Sequence, residues 1–219
     1  MKCDFHVHTR YSYDSNSLPK EVVETALQEG IDCLVITDHE EVEGAKKVIE
    51  YAFGKSILII SGIEVKSRKG DILGLNVKET IPAGLSAKET IKRIQEQGGM
   101  AIIAHPFSFL YSFKGDLEDF LGEIDGIEAF NAAIFASENK KALEFAKKHD
   151  LAFTAGSDAH FINDIGNAYL EIPGDNLSVE EVLKAVRDKK GKICGREISF
   201  FEKVADHAKR GLSKFKLLC

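Results

Sequence analysis

Short apolar segments alternate with stretches of helical periodicity along most of the chain. Residues 31–37 and 100–104, for example, have the length and composition of buried strands. Ser178 and Glu181 have the spacing of a capping box, which marks the start of a helix. The alternation predicts a mainly parallel sheet with right-handed crossovers, either an open sheet or a barrel. Predicted strands cover residues 1–6, 31–37, 57–65, 70–77, 100–104, 126–130 and 152–155, and predicted helices cover residues 17–30, 42–52, 86–97, 137–149 and 178–189.

Five of the seven histidines stand at the predicted carboxyl ends of strands, where carboxylates also occur: His6, His8, His39, His105 and His160. An open sheet offers ligands at one switch point, whereas a barrel collects them from every strand end. We therefore predict an α/β barrel that is distorted, as a single domain. About seven strands fit a chain of 219 residues better than the full eightfold barrel of ~250 residues.

Composition narrows the classes of partner. The net charge of -6 and the pI of about 5.7 argue against an extended nucleic-acid-binding surface. We find no targeting segment and no apolar run of membrane-spanning length, so we expect a cytoplasmic protein without a membrane partner. The basic tail at residues 203–219 is interpreted as a solvated terminal helix or frayed end, with a partner-binding arm as the alternative.

The four cysteines, Cys3, Cys33, Cys194 and Cys219, are widely scattered and lack the spacing of a zinc finger or redox motif. Cys3 and Cys33 lie in the first two predicted strands and are expected to be near neighbours. Reduced, buried thiols are favoured over a disulfide there.

Paired and buried ligand types indicate a metal centre. Residues two apart on a strand share a face, so His6 and His8 can reach one metal ion, and Asp158 and His160 repeat this spacing. Glu64 lies in a strongly apolar strand, where an unpaired carboxylate would cost several kcal/mol. Imidazole and carboxylate together are the ligands of hydrolytic metal centres.

Further candidates lie next to these positions. Of the adjacent pair Asp38 and His39, we favour His39 as a ligand and Asp38 as an orienting residue or proton carrier. Glu128 is another acid inside an apolar strand, and Asp14 lies in a polar loop that can fold back across the mouth. Three residues beside these positions are candidates for holding a phosphate group, with ordinary surface positions as the alternative: Arg10, Lys69 and Asn131.

In order along the chain, the segments DFHVHTRYSYDS, ITDHE, GIEV, AHP, IEAFN and GSDAH resemble the PHP (polymerase and histidinol phosphatase) family of metal-dependent phosphoesterases. The resemblance extends over roughly residues 1–165, and residues 166–219 look like the carboxy-terminal extension that often follows this domain. It implies a distorted seven-stranded barrel with up to three metal ions at its mouth.

The resemblance also implies a ligand set. The first metal would take His6, His8, Glu64 and Asp158. Glu64 would bridge to a second metal, which would also take His105 and Glu128. The third would take Asp14, His39 and His160. Mixed imidazole and carboxylate ligands suit zinc, manganese or iron.

We therefore predict hydrolysis of a small phosphorylated substrate, a nucleotide or a sugar or metabolite phosphate, by a hydroxide that bridges two metals. The alternatives are a histidinol-phosphatase-like enzyme, for which the chain leaves little room, and an exonuclease acting 3'-5' on short oligonucleotides. A non-enzymatic alternative is a metal-free scaffold or RNA-binding subunit, which should have gaps among the ligand positions.

Overall fold

The computed structural model describes residues 1–196, and the basic tail at residues 203–219, with Cys219, lies outside this part. The described strands are β1 (Lys2–Val7), β2 (Cys33–Ile36), β3 (Leu58–Lys66), β4 (Asp71–Leu75), β5 (Met100–Ile103), β6 (Gly126–Asn131), β7 (Ala152–Gly156), β8 (Ala168–Glu171) and β9 (Lys192–Gly195). The helices are α1 (Pro19–Gln28), α2 (Glu43–Ala52), α3 (Ala87–Glu96), α4 (Ala136–Lys148) and α5 (Val179–Arg187), with two short 3₁₀ helices at Leu117–Phe120 and Ile162–Asp164.

The strands form one sheet that nearly closes on itself. Its order is β7-β6-β5-β4-β3-β2-β1-β8-β9. Neighbours among the first seven strands are parallel, except that β4 is antiparallel to both β3 and β5. The end of β1 and the segment that follows β7 are joined by a parallel bridge between Val7 and Ala159, where the His8 N–H donates to the Ala159 carbonyl at 2.9 Å. This arrangement confirms the predicted distorted barrel.

Apolar residues fill the barrel below its carboxyl ends. Phe5, Val35 and Leu73 are fully buried in one cluster, and Val182 and Val186 of α5 pack into the same cluster. Each such side chain contributes about 1.5–3 kcal/mol when it is fully buried. Two further clusters lie between the outer face of the sheet and helices α1 to α4. The polar residues at the strand ends therefore lie on top of a closely packed apolar cluster inside the barrel.

Several local predictions are confirmed, and two strands were not predicted. The hydroxyl of Ser178 accepts from the Glu181 N–H at 3.3 Å, as the capping box requires. Cys3 and Cys33 are register partners on β1 and β2, and both are buried free thiols. The unpredicted strands, β8 and β9, have four residues each and continue the sheet from β1. None of the helices in residues 1–196 combines the length and apolar character needed to cross a membrane.

Candidate metal centre

The end of β1 directs two imidazoles to one place. The register between β1 and β2 shifts between Asp4 and Val7, an irregularity of the kind that re-aims side chains next to active sites. The His6 and His8 rings lie 5.0 Å apart, and both are fully buried. Gly156 makes room for this strand, because a Cβ atom there would lie 2.5 Å from the His6 Cβ.

Glu64 of β3 lies at the centre of the cluster. Its Oε2 is 3.2 Å from His6 Nε2, 3.3 Å from His8 Nε2 and 3.3 Å from His39 Nδ1, and its Oε1 is 3.2 Å from His105 Nε2. Burial alone would raise the Glu64 pKa, but the surrounding imidazoles outweigh burial and hold that pKa well below its usual range. Glu64 is thus a carboxylate that four histidines share.

Asp158 completes a first group of ligand types. Its Oδ1 is 3.7 Å from His6 Nε2 and 3.5 Å from His8 Nε2. Burial lowers the His8 pKa, but the carboxylates of Asp158 and Glu64 outweigh this effect and raise it to about 9. His6, His8 and Asp158 each offer one ligand atom, and these atoms lie within 4.8 Å of one another.

Asp14 folds back across the mouth towards two histidines. Its Oδ2 lies 3.6 Å from His39 Nε2 and 3.3 Å from His160 Nε2. Burial opposes ionisation of Asp14, but the two imidazoles hold its pKa below the usual range. His8, His39 and His160 also form a group with ligand atoms within 4.8 Å.

Asp71 joins the cluster although the sequence reasoning did not identify it. Glu64, Asp71 and His105 form a third group with ligand atoms within 4.8 Å, and Asp71 Oδ2 lies 4.0 Å from His105 Nε2. Burial, and then the Glu64 charge, raise the Asp71 pKa to about 6. The available signal was an acid beside a buried apolar strand, at the first position of β4, whereas Glu64 was identified because it lies within such a strand.

Glu128, predicted as a ligand of the second metal, lies between His6 and the turn after β5. Its Oε1 is 3.0 Å from His6 Nδ1, and its Oε2 accepts from the His105 N–H at 2.9 Å and the Asn131 Nδ2 at 3.0 Å. Both oxygens are therefore engaged by protein groups. This geometry suits a carboxylate that orients His6, because a ligating imidazole usually has such a partner on its other nitrogen.

The donor set fits metal binding on observations of the residues themselves. Asp14 Oδ1 and Asp71 Oδ1 are buried and have no hydrogen-bond partner among the described residues, and His8 Nε2 is buried with only the carboxylates of Glu64 and Asp158 near it, at 3.3 and 3.5 Å. Each buried polar atom left in this state costs about 1–3 kcal/mol. His105 and Asp158 also have positive φ angles, +26° and +53°, which are uncommon for non-glycine residues and fix the turns that follow β5 and β7. Divalent cations bound by the buried donor atoms would compensate the cost of burying them.

The structure separates the remaining candidates. Arg10 is exposed and lines a groove on the outer surface beside α1 and α2, and Lys69 donates its Nζ to the Lys114 carbonyl at 3.3 Å. Neither side chain is brought to the cluster by these contacts. Asn131 is brought there, but it is fully buried and contacts Glu128 and Asp158 (Nδ2 to Oδ2, 3.4 Å).

Asp38 is fully buried and paired with Thr9. It accepts from the Thr9 N–H at 2.6 Å and from the Thr9 hydroxyl at 2.7 Å, so each carboxylate oxygen has a partner. Gly44 permits this close packing, because a Cβ atom there would lie 1.8 Å from Asp38 Oδ2. The placement suits a residue that positions the segment after His8 better than one that exchanges a proton with substrate.

Two family models match the chain. The model of the PHP domain matches residues 4–102, and the model described as PHP-associated matches residues 136–190. The first match contains the ends of β1, β2 and β3, the loop after β1 and the start of β4. Six of the clustered side chains come from these segments: His6, His8, Asp14, His39, Glu64 and Asp71.

Relatives match over most of the chain. Two uncharacterized proteins of Methanocaldococcus jannaschii are 40% identical over 144 residues (60% of this chain, 82% of the relative) and 33% identical over 206 residues (88% and 82%). A probable phosphatase of Vibrio campbellii is 25% identical over 208 residues (78% and 82%). A two-domain Bacteroides vulgatus protein containing a predicted PHP-like metal-dependent phosphoesterase has the same fold, with a TM-score of 0.77 at 19% identity, covering 96% of this chain and 69% of that one.

Proposed function

Because the chain belongs to the PHP domain family, we propose that it is a metal-dependent phosphoesterase that hydrolyses a small phosphorylated substrate. One observation carries the proposal: histidines and carboxylates from separate strand ends converge on Glu64, with ligand atoms of each group within 4.8 Å. Divalent metal ions bound there would polarise a phosphate ester and activate water for its hydrolysis.

Three groups of side chains would hold the ions. His6, His8 and Asp158 would hold the first, together with Glu64. Glu64 would also serve the second. We assign Asp71 and His105 to the second ion together with Glu64. We assign Asp14, His39 and His160 to the third ion. The donor atoms are nitrogen and oxygen without thiolate, which suits zinc, manganese or iron.

The second ion has a different ligand in this proposal from the one that family resemblance implied. Asp71 replaces Glu128, because Asp71 Oδ1 has no partner among the described residues whereas the Glu128 oxygens accept from His105 and Asn131 and contact His6. Glu128 instead holds the His6 ring so that its Nε2 faces Glu64 at 3.2 Å.

The surrounding residues fix the ligands before a substrate arrives. Ser12 Oγ is 3.0 Å from His8 Nδ1 and accepts from the His39 N–H at 2.9 Å, which couples the ends of β1 and β2. His160 Nδ1 is 3.0 Å from the Asp158 carbonyl. Such contacts leave little reorganisation to occur during the reaction.

A small substrate is favoured over a long nucleic acid. Arg10 and Lys69, the cations next to the ligand positions, are directed to the outer surface and to a neighbouring carbonyl. The net charge of -6 adds no general attraction for a polyanion. Substrate charge would be neutralised by the metal ions themselves, which suits one phosphate group held at the mouth.

Elemental analysis combined with hydrolysis of an activated aryl phosphate ester tests the proposal. We expect bound transition metal in the purified protein and turnover that His8→Ala and Asp158→Ala abolish while circular dichroism remains unchanged. His149→Ala is the matched control, since that histidine lies at the C-terminal end of α4, outside the cluster, and contacts Glu118 (Nε2 to Oε1, 3.1 Å). Absence of metal, with no turnover after addition of manganese or zinc, would refute the function.

A further inference from the structure

Large apolar side chains are exposed in the two loops that leave the candidate metal centre. Tyr13, in the loop after β1, is 45% exposed. In the loop after β5, Phe109, Leu110 and Tyr111 are 83%, 61% and 45% exposed. Apolar surface grouped beside a polar centre is characteristic of a ligand-binding site. Neither the family resemblance nor the proposed metal ligands account for these side chains.

Tyr13 is held flat against one of the clustered histidines. Its ring stacks on the His39 imidazole with centroids 4.8 Å apart and planes inclined by 20°. The loop is pinned on both sides of the tyrosine: Ser12 Oγ accepts from the His39 N–H at 2.9 Å, and Ser15 Oγ donates to the His160 carbonyl at 2.8 Å. The orientation of the Tyr13 ring is therefore built into the fold.

Tyr111 has the equivalent position at a second clustered histidine. Its ring meets the His105 imidazole edge to face, with centroids 6.2 Å apart and an interplanar angle of 60°. The loop is fixed because the Tyr111 N–H donates to Ser108 Oγ at 3.3 Å and the Phe109 N–H donates to Glu138 Oε1 of α4 at 2.8 Å.

The two tyrosines flank the centre. His39 Nδ1 lies 3.3 Å from one oxygen of Glu64, and His105 Nε2 lies 3.2 Å from the other. Each tyrosine is thus one imidazole away from the shared carboxylate. A phosphate group held by metal ions in this cluster would bring its ester substituent beside half-exposed aromatic rings. Such rings favour a flat ring with its own π system over a hydroxyl-rich or branched aliphatic group.

We propose that Tyr13 and Tyr111 form a stacking subsite that selects phosphate esters carrying a flat aromatic ring. This inference rests on the proposed phosphoesterase function and adds the substrate class. The shared chemistry is a π face next to a phosphate, which either a nucleobase or an aryl group supplies. Stacking of this kind changes relative affinity by about 2-fold to 12-fold per ring.

Matched esters test the subsite. Benzyl phosphate and cyclohexylmethyl phosphate have similar size and leaving groups, but only the first has a π face. We expect kcat/KM to favour benzyl phosphate in the wild type and this preference to fall by about 3-fold to 10-fold in Tyr13→Leu and Tyr111→Leu. Tyr13→Phe should retain it. Tyr11→Leu is the control, since Tyr11 is 39% exposed but lines the groove with Arg10 on the outer surface.

A binding measurement tests the stacking subsite independently of the proposed hydrolysis. Benzylphosphonate and cyclohexylmethylphosphonate are not hydrolysed, so calorimetry on the metal-loaded protein measures binding without turnover, and the ratio of the two affinities reports the subsite. Equal wild-type affinity for both phosphonates would overturn the inference, as would equal losses for both in the leucine variants. Aromatic preference in binding without hydrolysis of any ester would instead refute the proposed function. Adenosine 5'-monophosphate and O-phosphotyrosine then identify which source of the ring is preferred.

Discussion

The variant Asp71→Asn, compared with Glu128→Gln, tests which of these two buried strand acids is a metal ligand. Asp71 Oδ1 has no partner among the described residues, and burial followed by the Glu64 charge raises the Asp71 pKa from 3.8 to about 6. That difference corresponds to a penalty of up to about 3 kcal/mol on the ionised carboxyl in the metal-free protein. Asp71→Asn removes the charge and keeps the size. We therefore expect the variant to stabilise the metal-free protein by up to this amount at pH 7.5.

The sign of the pH dependence is fixed by the direction of the shift. Because the folded-state pKa of Asp71 is raised, its favourable contribution is present below pH 3.8 and is lost as the pH rises through about 6. The stabilisation by Asp71→Asn should therefore be full at pH 7.5 and shrink as the pH is lowered towards 4. Urea unfolding of chelator-treated protein across this range measures it. In the metal-loaded protein the effect should reverse, with one metal equivalent lost.

Glu128→Gln is the matched comparison. Glu128 contacts His6 Nδ1 and accepts from the His105 N–H and the Asn131 amide, and a glutamine NH₂ group would face one of these donors. Hydrogen bonds to charged groups contribute about 1.5–3 kcal/mol each, so this variant should be destabilised by at least that amount while metal stoichiometry is retained. Loss of a metal equivalent in Glu128→Gln, with none lost in Asp71→Asn, would refute the assignment.

Two further predictions concern the end of β1 and the protons of the metal-free centre. Gly156→Ala should destabilise the fold by about 1–3 kcal/mol and sharply reduce hydrolysis, because the added Cβ would lie 2.5 Å from the His6 Cβ. Gly122→Ala is the control: a Cβ there would have no heavy atom within 4 Å, so the unfolding midpoint and the turnover should remain unchanged. Nearby carboxylates outweigh burial and raise the pKa of His8 and of His105 to about 9, so both imidazoles are protonated at pH 7.5 without metal. Metal binding should release these protons, and calorimetry in buffers of different ionisation enthalpy should show the release decline above pH 9; no release at pH 7.5 would contradict these pKa values.

The sequence pattern was sufficient to predict features whose geometry depends only on residues close together in the chain. The spacing of His6 and His8 requires only an extended strand to place both rings on one face, and their centroids are 5.0 Å apart. The apolar neighbours of Glu64 were enough to indicate a buried carboxylate that needs compensation. The helix starts followed from capping chemistry in the same way, as at Ser178. In each case the signal lies within a few residues of the feature.

Features that depend on distant partners were not predictable in this way. β8 has only four residues and pairs with β1, whose residues Lys2 and Cys3 oppose Glu171 and Leu170. β2 and β5 are equally short but are uninterrupted runs of buried apolar residues, whereas β8 mixes buried with half-buried and exposed positions, and four mixed positions are too few to distinguish a strand from a loop. Arg10 follows His8 closely in sequence, but the chain turns after the strand end, and Arg10 lies on the outer surface. Proximity along the chain did not indicate proximity in space.

The comparison of Glu64, Asp71 and Glu128 shows what sequence patterns lack for identifying metal ligands. All three acids lie in buried strands, so burial alone predicts only that each must be compensated. Glu128 is compensated by protein donors that come from β6 and from the turn after β5, including the His105 N–H at 2.9 Å. Asp71 has an oxygen without any such donor among the described residues. A buried acid is therefore a stronger ligand candidate when its donors are missing than when it is merely surrounded by apolar sequence, and that distinction requires the positions of backbone N–H groups from other strands.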